Sequence, residues 1–249
     1  MRRGWLPELA QRARSRLVAD DVIPSPNVWH WPELYEIENR AQDVHGAIWR
    51  VLAEVAEWGG RDVLDVGCGD GFHLAHFAET ARSVVGVEPH PPLLQRAQRR
   101  VTGMSNVTVL AGAAQKLQLA DASVDMVHAR TAYFFGPGCE PGILEADRVL
   151  RPGGTLVIVD LDAGVPPYGD WMRADLPSYR PAEVEKFFAL KGFACRKVDT
   201  EWRFGDRDSL AAVLGIEFSE RVAQRALRQL TGLSFRWGTG CTPGASRAG

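Results

Sequence analysis

An α/β fold with a doubly wound, mostly parallel sheet of seven strands, helices on both faces and an antiparallel last strand is predicted by three observations. Short β-branched runs alternate with helical segments from Asp62 onward. That order implies parallel strands joined by right-handed crossovers. One run ends in glycines at every second position, "VLDVGCGDGFH", and the next run ends in an acid, Glu88.

Residues 1–58 read as a helical cap, broken by Pro24, Pro26 and Pro32. The amino end carries Arg2, Arg3, Arg12, Arg14 and Arg16 but no apolar run of the secretory kind. It reads as an exposed basic helix or as a transit peptide. After Pro32, the residues Leu34, Ile37, Ala41, Val44, Ile48, Val51, Leu52 and Val55 trace one amphipathic stripe, interrupted only by Gly46. Residues 59–240 form the predicted main domain, with halves at 59–162 and 163–240. In the first half, "DVLDVG", "SVVGVEP", "VTVLAG", "SVDMVHAR" and "GTLVIVDLD" are strands, by their Val, Leu and Ile content. "FHLAHFAETA", "PLLQRAQRRV" and "GILEADRVL" are the helices between them. In the second half, "AGVPPYGDWMRADLPSY" reads as a loop and "PAEVEKFFALKG" as a helix from Pro181 to its glycine cap. "FACRKVDTEWRF" and "LSFRWGT" are the last strands, with two short helices between them and an irregular tail over 241–249.

The 249 residues, 45% hydrophobic, suffice for a sizeable core. A formal charge of -2 offers no global attraction to nucleic acid or to an acidic membrane. The four cysteines lie far apart with no C-x-x-C pair, so neither a disulfide framework nor a zinc knuckle is expected. No apolar stretch approaches spanning length, and a cytoplasmic setting is expected.

A strand that feeds a glycine turn and then a helix offers free N–H groups and close backbone approach. Dinucleotide loops use G-x-G-x-x-G. Here the spacing is D-x-G-x-G-x-G, with Asp65 just before the turn. An acid at that place repels a pyrophosphate and suits an ammonium group. Glu88, at the end of the second strand, is placed to bind both hydroxyls of an adenosine ribose. A nucleoside with an amino-acid tail, S-adenosylmethionine, answers both demands.

Over about Trp58 to Asp162 the chain resembles the class I S-adenosylmethionine-dependent methyltransferases, through "VLDVGCGDG", "VVGVEP", "GAAQKLQLADASVDMVHAR" and "DRVLRPGGTLVIVD" in succession. The resemblance implies a Rossmann-like domain, a cofactor-binding half at 59–162 and an acceptor-side half at 163–240. It implies that Asp65, Gly67, Cys68, Gly69 and Gly71 form the loop beside the methionine and ribose. Glu88 would grip the ribose, Pro89 would lie near adenine, Ala113 and Ala114 would contact adenine, and Arg130 would meet the cofactor or make a salt bridge. Many relatives carry an acid where Ala113 stands, so backbone groups or another side chain would have to serve the adenine amine here.

Other signals leave two readings each. Trp29, His30, Trp31 and Tyr35 are an aromatic lid over cofactor and acceptor, or packing on the sheet. Tyr133, Phe134 and Phe135 shape an acceptor pocket, or pack under the following helix. Tyr168, Trp171 and Tyr179 are pocket or plug. Asp160 and Asp162 lack a third oxygen ligand, so no metal is expected. Methyl transfer to a small molecule is the expected function, with His128, Tyr133 and His30 as candidate bases. An RNA or protein acceptor, or a cofactor-binding protein without turnover, are the alternatives. No membrane or nucleic-acid partner is expected, and the sequence does not set the oligomeric state.

Overall fold

A computed structural model describes residues 22, 24, 25 and 27–245. The expectations for the basic amino end concern residues outside that range. The strands β1 (Asp62–Val66), β2 (Ser83–Glu88), β3 (Val107–Ala111), β4 (Val124–Arg130), β5 (Leu150–Leu161), β6 (Arg196–Arg203) and β7 (Ser234–Ala245) lie in the order β3-β2-β1-β4-β5-β7-β6, with the last strands antiparallel. The elements of the chain fall into two compact units.

One unit comprises residues 49–160, 182–196 and 240 onward. It holds β1 (Asp62–Val66), β2 (Ser83–Glu88), β3 (Val107–Ala111), β4 (Val124–Arg130) and most of β5 (Leu150–Leu161). All these strands pair in parallel. Alternation along β1 sends Leu64 and Val66 into one core layer with Val87, Val127, Ala129 and Ile158. Between Val124 and Met126 the β4–β5 register slips, because "RPGG" lies opposite a single residue of β4. Gly154 belongs there, since a Cβ would stand 2.9 Å from the carbonyl oxygens of Arg151 and Asp125. The connecting helices are Leu74–Ala78, Pro91–Arg100 and Glu140–Val149, and the helix Pro181–Leu190 belongs to the same unit from Ala182 onward.

At the amino-terminal ends of these strands, Asp62 and Asp125 share Arg82 and Arg151. The Arg82 guanidinium, then Ser83 and Arg151, hold the Asp62 carboxyl below its usual range against the cost of burial. A depressed acid stabilises the fold above its unfolded value, and that contribution fades as pH falls through the folded one. Asp62→Asn is therefore expected to lower the melting temperature at pH 7, and its deficit against wild type is expected to be smaller at pH 2. An equal deficit at both pH values would contradict this ion-pair role.

The other unit comprises the described residues up to Ile48, together with 161–181 and 197–239. The amphipathic stripe of the lead-in is two helices, not one: α1 (Pro32–Ala41) and α2 (Ala47–Val55), the second crossing the boundary at Trp49. The break is Asp43, whose φ of +50° is left-handed, followed by Gly46. Asp43 then accepts the Ala47 and Ile48 amides at 2.6 and 2.9 Å and so starts the second helix. In order after these, the helices are numbered α3 (Leu74–Ala78), α4 (Pro91–Arg100), α5 (Glu140–Val149), α6 (Tyr168–Asp175), α7 (Pro181–Leu190), α8 (Arg207–Glu217) and α9 (Glu220–Gln229).

Helix α6 lies within the stretch that the sequence assigns to a loop. Tyr168, Trp171 and Met172 bury one side of it, and that burial outweighs the local breaker signals of Pro166, Pro167 and Gly169. Tyr168 and Trp171 meet Phe218 and Phe235, so these aromatics plug this unit's core. Strand β6 (Arg196–Arg203) is as expected, while β7 (Ser234–Ala245) runs on through residues read as tail. The Pro243 carbonyl accepts the Ala194 amide there, and Phe193 covers Gly244. Among the described residues no helix is long and apolar enough to cross a membrane.

Candidate functional site

The glycine loop leaves β1 in a conformation that side chains resist. Gly67, Gly69 and Gly71 all have positive φ, at +71°, +59° and +83°. The amides of Gly67 and Cys68 both donate to the Val87 carbonyl, at 2.8 and 3.1 Å, which folds the loop back over β2. A Cβ on Gly67 would stand 2.5 Å from that of Ala132, whereas a Cβ on Gly69 would meet nothing within 4 Å. Gly69 thus presents bare, open backbone.

Glu88 ends β2 with 4% of its surface exposed. Its two oxygens accept the Gly69 amide at 3.0 Å and the His90 amide at 2.9 Å. Burial pushes this carboxyl up to about 7, against the pull of the two amides, with the charges of Asp65 and Asp70 adding to the rise. Pro89 is half-buried beside it, and α4 starts two residues later.

Asp65 points to the face opposite Leu64. It is in register with His128 of β4, and Nδ1 of His128 lies 2.7 Å from its carboxylate. Both are nearly inaccessible, at 2% and 1% exposed. This pairing was not foreseen. Its signal lies in counting back from the strand ends: both residues sit one residue short of the last or its neighbour, on adjoining parallel strands. Phe77 and His73 pack on the imidazole, at centroid distances of 5.0 and 6.5 Å. Burial, with the Arg130 charge next, holds His73 well below the usual imidazole range. Removing one partner of a buried pair leaves the other uncompensated. His128→Ala is expected to cost about 3 kcal/mol of stability in urea unfolding. His128→Asn, which keeps a donor, should recover part of it, and an unshifted midpoint in the alanine variant would show that Asp65 does not depend on the imidazole.

A second unforeseen pair fastens the loop's far side. Arg100, at the end of α4, donates to the Asp70 carbonyl at 3.0 Å and to its carboxylate at 2.6 Å. The sequence signal was an acid among the glycines and a basic last helical turn. Cys68 is buried, and burial, with Asp65 and Glu88 nearby, pushes its thiol well up.

Ala113 and Ala114 follow β3. Ala114 faces the core and Ala113 is half-buried. Arg130 ends β4 opposite Val159. Beyond it, Thr131 and Tyr133 have φ of +48° and +56°, a strained conformation for non-glycine residues. Ala132, between them, is the residue that abuts Gly67. Tyr133 packs edge-to-face on Phe134 and against Gly142 of α5, and Phe134 is fully in the core. His30 and Tyr35 belong to the other unit, His30 exposed and Tyr35 half-buried in α1. Asp162 accepts the Gly164 amide and pairs with Lys197 at 3.0 Å, and Asp160 falls in the other unit. Among the described residues no group of three or more His, Cys, Asp or Glu is placed to hold a metal.

Residues 64–158 match a protein-family model described as a methyltransferase domain. An uncharacterized protein of Mycobacterium bovis is 32% identical over 148 residues, covering 55% of this chain and 54% of that protein. An uncharacterized methyltransferase of Synechocystis is 34% identical over 104 residues, covering 41% and 48%. The chain thus spans about half the length of the curated relatives it matches, or less. Among solved structures, a SAM-dependent methyltransferase of Aquifex aeolicus superposes with a TM-score of 0.53 at 20% identity, over 84% of this chain and 97% of that one. At that identity the likeness is one of fold.

Proposed function

We propose that the chain transfers a methyl group from S-adenosylmethionine to a small-molecule acceptor, a reading supported by the match of residues 64–158 to a methyltransferase domain. The observation that carries this reading is Glu88: a buried carboxylate at a strand end, joined to the Gly69 amide beside open backbone. The residues present fit the cofactor. Glu88 offers an acceptor-only group for two ribose hydroxyls, and Gly69 leaves room for close approach. Pro89, Ala113 and Ala114 would border the base. Gly67, Cys68, Gly71, Asp65 and Arg130 would border the amino-acid tail, with Asp65 acting while held by His128.

Bound there, S-adenosylmethionine supplies an already activated methyl group. The protein's share is alignment, holding the acceptor's nucleophile about 3 Å from the methyl carbon and in line with its bond to sulfur. An acceptor whose nucleophile carries a proton needs a base. His128 and Tyr133 are the candidates within the unit that holds the glycine loop, and His128 has an orienting carboxylate in Asp65. A small acceptor in a cytoplasmic setting accords with the net charge of -2 and with a fourth strand that runs out into "TAYFFG".

The test is incubation with S-adenosylmethionine and a metabolite extract, followed by mass spectrometry. The reading expects S-adenosylhomocysteine together with a solute heavier by one CH2. Methyl found only in RNA or protein would overturn the small acceptor, and unchanged S-adenosylmethionine would overturn the activity.

A further inference from the structure

The loop that follows β3 is held at both ends. At its start the Gly112 amide donates to the Glu88 carbonyl at 3.3 Å, and the Lys116 amide donates to the Ala113 carbonyl at 3.0 Å. At its far end the contacts converge on one guanidinium of α5. Arg148 forks onto Glu145, with Nε and Nη2 each 2.8 Å from an oxygen. Nη2 also donates to the Leu117 carbonyl at 3.0 Å. Nη1 donates to the Leu119 carbonyl at 2.8 Å and to Asp121 at 2.7 Å. Glu145 closes the ring by accepting the Leu117 amide at 2.8 Å.

A surface arginine paired only to a carboxylate contributes little. This one satisfies two loop carbonyls with donors fixed in one plane, a geometry that a lysine ammonium does not reproduce. The neighbouring Leu117 and Leu119 pack into the core, so the clasp sets where the whole segment stands.

We propose that Arg148, clasped by Glu145, is a positioning residue that fixes the Ala113–Ala114 segment and thereby the preference for adenine over a 6-oxopurine. The inference rests on the reading of that segment as the adenine wall. Position 113 is alanine, so no side-chain acid takes the exocyclic amine. The inference assigns that role to backbone groups of the segment, where a carbonyl accepts from an amine but repels a 6-oxo group. A side chain can swing to follow a displaced base. A backbone group cannot, and its hydrogen bond weakens within a few tenths of an ångström. What anchors the loop therefore governs the discrimination.

The experiment is calorimetric titration of the full chain with S-adenosylhomocysteine and with S-inosylhomocysteine, for wild type, Arg148→Lys, Arg148→Ala and Glu145→Gln. Wild type should prefer the adenine compound by about 100-fold or more, as sites built around a hydrogen bond do. Arg148→Ala should cut that preference about tenfold, with Arg148→Lys and Glu145→Gln between, since planar fork geometry is what each one loses. If every folded variant weakens both ligands equally, Arg148 is only structural and the inference fails. It fails also if wild type does not prefer adenine. If wild type binds neither compound, the cofactor reading itself has failed. Should Arg148→Ala not fold, the preference in Arg148→Lys and Glu145→Gln decides.

Discussion

Replacing Glu88 by alanine is expected to weaken S-adenosylhomocysteine binding on the order of 100-fold or more, since two charge-assisted hydrogen bonds contribute about 1.5–3 kcal/mol each. The loss has a second source. The amides of Gly69 and His90 both end on this carboxylate, so the truncation also frees the glycine loop. The pH dependence separates the two sources. Burial keeps the Glu88 proton on until about pH 7. Ribose hydroxyls need an ionised acceptor, so affinity should rise between pH 6 and pH 8, up to about tenfold per pH unit. The ligand-free protein should show the opposite slope. A group whose folded value is raised contributes stability that is present below its unfolded value and is lost as pH rises through the folded one. Glu88's contribution to stability therefore declines from about pH 4.5 to about pH 7. Glu88→Gln should flatten both slopes. A flat affinity in wild type across this range would show that the carboxylate does not meet the ribose.

The second large effect is on the fold. Gly67→Ala should lose about 3 kcal/mol or more, because a left-handed backbone strains alanine and the new methyl lands on Ala132. A Cβ has no rotamer to escape by. Gly69→Ala is the control. Its φ is equally left-handed but its surroundings are open, so about 1 kcal/mol is expected. The new methyl would nevertheless stand on the bare backbone that the ligand approaches. Urea unfolding and calorimetry together should show Gly67→Ala failing chiefly in stability and Gly69→Ala chiefly in binding. Equal stability losses would mean that Ala132 yields.

Strands β1, β2 and β3 were legible because each is a compact Val-rich run that ends at a glycine or an acid, and β5 by its apolar run after Gly154. Glu88 and the glycine loop were legible because their chemistry depends on spacing within one βαβ unit. What escaped depends on distant or conformational facts. Asp43 is an ordinary acid by type, and its left-handed φ and double capping role appear only in the folded chain. Helix α6 is hidden by Pro166, Pro167 and Gly169, and its stability comes from aromatic partners contributed by α8's end and β7. The Asp65–His128 pair needs the β1–β4 register, which periodicity does not supply. The Arg148 clasp reads in sequence as a common E-x-x-R helical pair, and only the folded loop reveals its carbonyl partners.

Hydrogen exchange of the full chain, with and without saturating S-adenosylhomocysteine, tests the central claim most directly. Amides in 65–72, 86–91 and 111–117 should slow together, because one ligand would cover the glycine loop, Glu88 and the segment after β3. Binding without protection in these three stretches, or protection confined to residues outside them, would contradict the placement of the cofactor.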